Sequence, residues 1–75
     1  MPRLPIVTGD KLVKILLKVG FEQIRRESSH VSLWRERDNL HITVPVHVGR
    51  AIGKGLLSRI LKDIGLSVEG LRKLL

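Results

Sequence analysis

The stretch HVSLWRERDNLHITVP, residues 30–45, decides the fold class. Apolar and polar side chains alternate along it on both sides of Asp38-Asn39, a residue pair that tolerates the positive φ of a tight turn. This alternation predicts a β-hairpin with strands over residues 31–37 and 40–44. The two residues between the strands would form the turn.

A two-residue turn would fix how the strands pair and which face is buried. The expected cross-strand pairs are Arg37 with Leu40, Leu33 with Val44, and Trp34 with Thr43. The apolar face, which we expect to pack on the core, consists of Val31, Leu33, Ile42 and Val44. The opposite face, which we expect to be open to solvent or ligand, carries His30, Ser32, Trp34, Glu36, His41 and Thr43. Pro45 is expected to end the pairing, because proline has no N–H for a strand ladder.

An amphipathic helix is predicted before the hairpin. Apolar side chains recur at helical spacing over residues 12–19, with Thr8 as a plausible N-cap. Gly20 is expected to end the helix in a left-handed conformation, and Phe21 to fold back onto its apolar face. That face consists of Leu12, Ile15, Leu16 and Val19, widened by Val13 and Leu17, and the opposite side carries Lys11, Lys14 and Lys18.

The remaining segments complete an α+β fold. Residues 22–27 predict a short strand, and residues 56–64 predict a second helix that ends at Gly65 and buries Leu56, Leu57, Ile60, Leu61 and Ile64. Ser67 is expected to cap a short third helix. The predicted order α-β-β-β-α-α is a two-layer domain, with a three-stranded antiparallel sheet and helices on one face. We expect one domain over residues 1–75, in which residues 1–7 are an irregular tail.

Charge points to a polyanionic partner. The 75 residues include 14 Lys and Arg against 7 Asp and Glu, a formal net charge of +7. A small domain this basic most often binds nucleic acid. The chain has no cysteine, which excludes a disulfide scaffold and fits a reducing compartment. No apolar run approaches the ~18 residues of a membrane span, so we expect a cytoplasmic protein without a membrane partner.

His30 is a candidate for catalysis, because it falls at the start of a strand on the open face. Histidine titrates near neutrality and can give or take a proton there. Such a group suits RNA cleavage by attack of the 2′-hydroxyl, which DNA lacks. The alternative that the residues leave open is an ordinary exposed histidine.

The other two histidines have weaker interpretations. If the hairpin register continued past Pro45, His47 would lie opposite His30 as an acid–base pair, but the proline interrupts the strand. We therefore expect His47 mainly to shape the following loop. A metal site formed by His30, His41 and His47 is rejected, because their spacing matches no familiar ligand motif and no carboxylate pair completes it. No cofactor is expected.

Four side chains are candidates for RNA binding. Arg50 and Lys54 are favoured, because their loop runs into the start of a helix, where backbone N–H groups and the dipole favour an anion. Arg35 is included as a further cation of the hairpin. Trp34, the only tryptophan, is expected on the open face, where it either stacks an unpaired base or anchors a protein partner.

Taken in order, these segments resemble the HicA toxin family, also called YcfA-like proteins. That family has an opening helix ending in GF, a G-S-H step into a strand, VTVP with a following histidine, and a helix reading G-T-L…IL…AGLS. The corresponding residues here are Gly20-Phe21, SSH at 28–30, ITVPVH at 42–47, and GLLSRILKDIGLS at 55–67. The resemblance covers residues 8–75.

The resemblance implies a fold like that of double-stranded-RNA-binding domains and a ribosome-independent mRNA endoribonuclease that blocks translation. It implies His30 as the catalytic histidine, with Ser29 as the adjacent serine of the motif. It also implies a HicB-like antitoxin, which we expect to cover the face carrying His30 and Trp34.

Two positions depart from the family pattern. Ser28 replaces the glycine before Ser-His, and it would be strained if that position needs a positive φ. Leu56 replaces the threonine after the helix-start glycine, so a hydroxyl that could contact phosphate is missing. These departures keep open a non-catalytic RNA-binding module of the same fold, and a subunit that only recruits a HicB-like partner.

Overall fold

Helices cover one face of a three-stranded antiparallel sheet. The computed structural model describes residues 3–75. Its elements are α1 (Gly9–Lys18), β1 (Glu22–Glu27), β2 (His30–Arg35), a 3-10 turn (Glu36–Asp38), β3 (Leu40–Pro45), α2 (Lys54–Ile64) and α3 (Val68–Leu74). The strands lie side by side in the order β1-β2-β3. The predicted α+β two-layer architecture is confirmed.

Residues 3–7, the described part of the predicted tail, form neither helix nor strand, but the segment is not loose. Val7 is completely buried in the core, and its carbonyl accepts a hydrogen bond from the N–H of Ile52 at 2.7 Å. Next to it, Thr8 and Ala51 form an isolated antiparallel bridge. The segment before α1 therefore ties the loop after β3 to the body of the domain.

The ends of α1 form as the sequence predicts. The Thr8 hydroxyl oxygen accepts a hydrogen bond from the N–H of Lys11 at 3.3 Å. At the other end Gly20 has φ +98°, and the N–H of Phe21 donates to the carbonyl of Leu16 at 3.0 Å. The bond from Phe21 to Leu16 and the bond from the N–H of Gly20 to the carbonyl of Leu17 form a Schellman motif, which turns the Phe21 ring back onto the core.

The core face of the hairpin is also confirmed. Its four apolar side chains, Val31, Leu33, Ile42 and Val44, are all buried with the inward faces of α1 and α2. Two helix predictions are wrong, because Leu17 is 46% exposed and Leu56 is 39% exposed. Leu17 lies well outside the stripe formed by the other apolar residues of α1, and Leu56 lies at the edge of the stripe of α2, as the 3.6-residue period requires.

The turn of the hairpin differs from the prediction. Strand β2 ends at Arg35, which pairs with Leu40, and a 3-10 turn separates the strands instead of two residues. Asn39 ends this turn with φ +52°, so the positive φ is found at one residue of the predicted pair. The register is shifted by two residues, so Leu33 faces Ile42 and the predicted pair of Leu33 with Val44 is wrong. An even shift keeps every strand side chain on its predicted face, whereas Glu36, predicted on the open face, lies in the 3-10 turn.

Arg35 explains why the strand ends early. Its guanidinium is 4% exposed and donates to both carboxylate oxygens of Asp38, at 3.0 and 2.7 Å. It also donates to the carbonyls of Val19 and Ile64, at the C-terminal ends of α1 and α2. A cation is favoured at the C-terminal end of a helix. Arg35 therefore holds the 3-10 turn against two helices.

The same contacts shift the ionisation of both partners. Hydrogen bonds from Arg35 hold the pKa of the Asp38 carboxyl below its ordinary value. In return the pKa of Arg35 is raised, chiefly by its hydrogen bond to Asp38 and against the opposing effect of burial. The guanidinium also lies 4.6 Å from the centroid of the Phe21 ring, a cation–π distance.

Candidate active site

His30 opens β2 on the face of the sheet that the helices leave free. It pairs with Glu27 across a hairpin whose turn consists of Ser28 and Ser29. Its side chain is exposed, as predicted. Among the described residues other than glycine, Asn39 alone has a positive φ. Serine at position 28 is therefore accommodated without the strain that the family pattern suggests.

Ser29 contacts the imidazole of His30 directly. The Ser29 hydroxyl oxygen lies 3.1 Å from Nδ1 of His30, within hydrogen-bond distance. Within residues 3–75 no side chain bonds to the other ring nitrogen, Nε2. A hydrogen bond at one nitrogen fixes the orientation of the ring and leaves the other nitrogen for a ligand. The predicted supporting residue therefore lies next to the predicted catalytic one.

The structure also brings His47 to this place. The ring centroids of His30 and His47 are 6.4 Å apart, and the rings are inclined at 76°. His47 does not reach this position by strand pairing, because His30 pairs with Pro45. It reaches it through Val46, whose side chain is buried and whose N–H donates to the carbonyl of Ser29 at 2.8 Å.

The segment before His47 is fixed by the start of α1. A Cβ atom placed on Gly9 would lie 2.2 Å from the carbonyl oxygen of Pro45 and 2.9 Å from Cα of Val46. Only glycine allows this approach. Sequence reasoning missed Gly9, although a glycine directly after an N-cap, where better helix formers are available, is a signal of close backbone contact.

The segment after His47 turns sharply. The carbonyl of His47 accepts a hydrogen bond from the N–H of Arg50 at 3.0 Å, and Gly49 has φ +75°. A glycine with positive φ at the third position is typical of a type II turn. The predicted cation Arg50 is thereby placed in the same turn as His47.

The far end of the open face carries Trp34 and His41, which are partners across the hairpin. Trp34 is half-buried, and its indole N–H donates to the side-chain oxygen of Asn39 at 2.8 Å. His41 lies four residues along the strand from His30, a distance of about 13 Å at ~3.3 Å per residue. No group of three or more metal-ligating side chains occurs in the described part of the chain.

The predicted RNA-binding side chains do not form one cluster. Arg50 belongs to the His47 turn and Trp34 to the far end of the sheet. Lys54 begins α2 and lines a shallow cavity with Arg3, Leu4 and Ile6. The prediction for Arg35 is wrong, because its guanidinium is buried and bound by protein acceptors. It lies on the core face, as its position between Leu33 and the turn requires.

The family model described as HicA toxin of bacterial toxin-antitoxin matches residues 9–66, most of the chain. This chain belongs to the HicA toxin family. It is therefore a toxin of a bacterial toxin–antitoxin system, and a cognate antitoxin is its partner. Neither the curated proteins nor the solved structures give a significant match.

The HicA match contains the whole His30 neighbourhood. It begins at Gly9, the residue that contacts the Pro45–Val46 backbone, and ends at Leu66, directly after the glycine that terminates α2. Helix α3 lies outside the match. Within residues 3–75, no helix of this HicA-family chain has the length and hydrophobicity that a membrane crossing requires.

Proposed function

We propose that this HicA-family toxin is an endoribonuclease that cleaves mRNA, with His30 as a proton-transfer residue. The observation that carries the proposal is the exposed His30 imidazole, which Ser29 holds through Nδ1 while Nε2 remains free. Exposure on the sheet face gives a strand of RNA access to that nitrogen. The net charge of +7 attracts such a strand.

The proposed reaction uses the substrate's own nucleophile. His30 takes a proton from a ribose 2′-hydroxyl, or gives one to the leaving 5′-oxygen, while the 2′-oxygen attacks the adjacent phosphorus. DNA lacks this hydroxyl, so cleavage is restricted to RNA. The chain supplies the proton-transfer group itself, so we propose that cleavage does not require a metal ion.

Arg50 and Trp34 would bind the substrate on two sides of His30. Arg50, in the His47 turn, offsets phosphate charge near the reacting group. Trp34 presents a half-buried ring to the open face, where a base can stack on it, a contact worth ~1–3 kcal/mol in other single-strand binders. Lys54 contacts phosphate further along the strand. Arg35 has no place in this surface.

We propose that a HicB-like antitoxin inhibits the toxin by covering the face between His30 and Trp34. The family supplies a cognate antitoxin, and a half-buried tryptophan on an open sheet face is a suitable anchor for a protein. The same face then serves RNA and antitoxin in turn, in the cytoplasm where mRNA is translated.

The test compares His30→Ala with His41→Ala. Both changes remove one exposed histidine from the same sheet face, but only the first touches the proposed centre. Purified His30→Ala is expected to lose about 10²–10⁴-fold in the rate of single-stranded RNA cleavage, in buffer containing EDTA, and to stop arresting growth when induced in cells. His41→Ala is expected to keep both activities. Cleavage by His30→Ala at the wild-type rate would show that the assignment is wrong.

One observation favours a second function, RNA binding without cleavage. Leu56 lies half-exposed in the first turn of α2, where the family pattern has a threonine, so this surface lacks a hydroxyl for a phosphate. A binding module would show RNA affinity that falls by roughly 0.7 log units per phosphate contact for each log unit of salt. It would release no cleavage products from wild-type protein.

A further inference from the structure

We propose that His47 is the second proton-transfer residue of the cleavage centre and acts on the same phosphodiester as His30. This inference rests on the proposed function and adds a residue to it. It starts from the ring separation of 6.4 Å between His30 and His47, two exposed imidazoles that belong to different segments of the chain.

The separation suits two proton transfers at one phosphorus. A proton-transfer group must come within about 2.6–3.2 Å of the oxygen that it serves. The 2′-oxygen and the 5′-oxygen are both bonded to the reacting phosphorus in the transition state, so the groups that serve them must be close neighbours without touching. The rings of His30 and His47 satisfy both conditions, whereas His41 lies about 13 Å along the sheet at ~3.3 Å per residue.

His47 is held in this position from both sides. On one side Val46 is buried and bonded to Ser29, the residue that also contacts the His30 ring. On the other side the turn from His47 to Arg50 closes at 3.0 Å. Ser29 therefore contacts both the His30 ring and the backbone directly before His47.

The proposed step is balanced within the substrate and the two rings. One neutral imidazole takes the proton of the 2′-hydroxyl as the bond from the 2′-oxygen to phosphorus forms. The other, protonated imidazole gives its proton to the 5′-oxygen as the bond from phosphorus to that oxygen breaks. The products are a 2′,3′-cyclic phosphate and a 5′-hydroxyl, and no oxidant, reductant or water is consumed.

Such a pair has a recognisable dependence on pH. The rate falls at low pH, where the base is protonated, and at high pH, where the acid has lost its proton, so the profile is bell-shaped. The charged groups on the elements next to the pair are Glu27, which pairs with His30, Arg25 beside it, Arg26 and Asp10, which form an ion pair between β1 and α1, and Arg50 in the His47 turn. All five charged residues are unchanged in every variant tested below. If one variant alone lacks a limb of the pH–rate profile, that limb therefore reports the histidine that the variant replaces.

The experiment measures cleavage of a single-stranded RNA oligonucleotide against pH for wild type, His47→Ala, His30→Ala and His41→Ala. We expect the cleavage rate of His47→Ala to be about 10²–10⁴-fold lower than that of wild type, and its pH–rate profile to retain only one of the two limbs. His41→Ala is expected to keep the wild-type rate and both limbs. Urea unfolding of each variant reports whether the fold is retained, and His47→Gln repeats the test with a side chain that keeps hydrogen bonding.

The outcomes separate this inference from the proposed function. If His30→Ala is inactive and His47→Ala cleaves at the wild-type rate, His47 has no role and the function stands. A slow His47→Ala that keeps both limbs makes His47 a positioning residue and overturns the proposal. Wild-type protein that leaves the RNA intact overturns both.

Discussion

The two ends of strand β2 carry basic side chains in opposite environments. Arg35, at the C-terminal end, is buried and donates four hydrogen bonds to the 3-10 turn and to the ends of two helices. His30, at the N-terminal end, is exposed, and within residues 3–75 its ring has a single hydrogen-bond contact, with the neighbouring Ser29. Five positions separate the two residues, so they point to opposite faces of the sheet.

The comparison shows that the surroundings of a basic side chain decide its role more than its charge does. A buried guanidinium needs several acceptors, and the elements around Arg35 supply them, which makes it a structural residue. His30 lacks such partners within the described chain, so its imidazole is accessible for the role that we propose. Changes at the C-terminal end of β2 should therefore affect stability, and changes at the N-terminal end should affect activity.

The largest effect on stability is expected from Arg35→Leu. The change leaves the partly exposed Asp38 carboxylate and two helix-end carbonyls without their donor, and a buried acceptor left without a partner costs about 1–3 kcal/mol per group. For a domain of this size that is a large part of the total stability. Urea unfolding measures the loss as a lower midpoint with an unchanged slope.

Arg37→Leu is the matched control for this loss. Arg37 is an exposed arginine in the same turn, and surface changes of this kind usually stay within about 0.5 kcal/mol. If Arg35→Leu and Arg37→Leu unfolded at the same urea concentration, the two ends of β2 would not differ in the way described.

A smaller loss of stability is expected from Gly9→Ala, which changes the packing of the segment before His47. The added methyl group would meet the Pro45 carbonyl at 2.2 Å, and forced overpacking costs about 1–3 kcal/mol. Since the contact fixes the segment that carries His47, the cleavage rate should fall together with the stability. Thermal unfolding and the RNA cleavage assay measure the two losses.

Gly55→Ala separates this steric effect from a general effect of replacing glycine. Gly55 lies in α2, and no packing partner in the described part of the chain comes within 4 Å of an added Cβ, so alanine should raise stability by about 0.5–1 kcal/mol. A gain at both glycines would contradict the close contact between α1 and β3.

Much of the fold could be predicted, because it depends on local patterns. The helix period, the caps at Thr8 and Gly20, and the alternation of the hairpin are each readable within a few residues. Every residue within the two strands lies on its predicted face despite the error in register, because the shift was even. The same alternation places Arg35 on the core face, so its assignment to RNA binding contradicted a pattern already visible in the sequence.

The rest depends on contacts between distant segments. Gly9 meets Pro45, and Val46 bonds to Ser29; neither contact leaves a periodic signal. The position of His47 follows from these contacts and not from strand register, which ends at Pro45. The three acceptor residues of Arg35 come from three separate parts of the chain, so the early end of β2 could not be predicted from the hairpin alone.

Low pH should reduce the stability of the domain, because it protonates Asp38, the partner of Arg35 at the C-terminal end of β2. The folded-state pKa of its carboxyl lies below the ordinary value, which is about 3.9 in an unfolded chain. Its contribution to stability is therefore complete above that value and is lost as the pH falls through the folded pKa. Urea unfolding between pH 2 and 6 should show less acid sensitivity in Asp38→Asn than in wild type. Glu36→Gln, which leaves the Arg35–Asp38 bonds intact, should retain the sensitivity of wild type.

The smallest effect is expected from Trp34→Phe, a change next to Arg35 at the C-terminal end of β2. Phenylalanine keeps an aromatic ring on the open face and removes only the 2.8 Å bond to Asn39, so stability should fall by about 0.5–1.5 kcal/mol. RNA affinity, measured by fluorescence anisotropy with an RNA that lacks the reactive 2′-hydroxyl, should stay near that of wild type, because stacking needs only a ring face. Trp34→Ala should weaken it. If Trp34→Phe lost cleavage activity as severely as His30→Ala, the turn at the C-terminal end of β2 would be coupled to the reacting centre. The contrast between an end of β2 that governs stability and an end that governs activity would then be wrong.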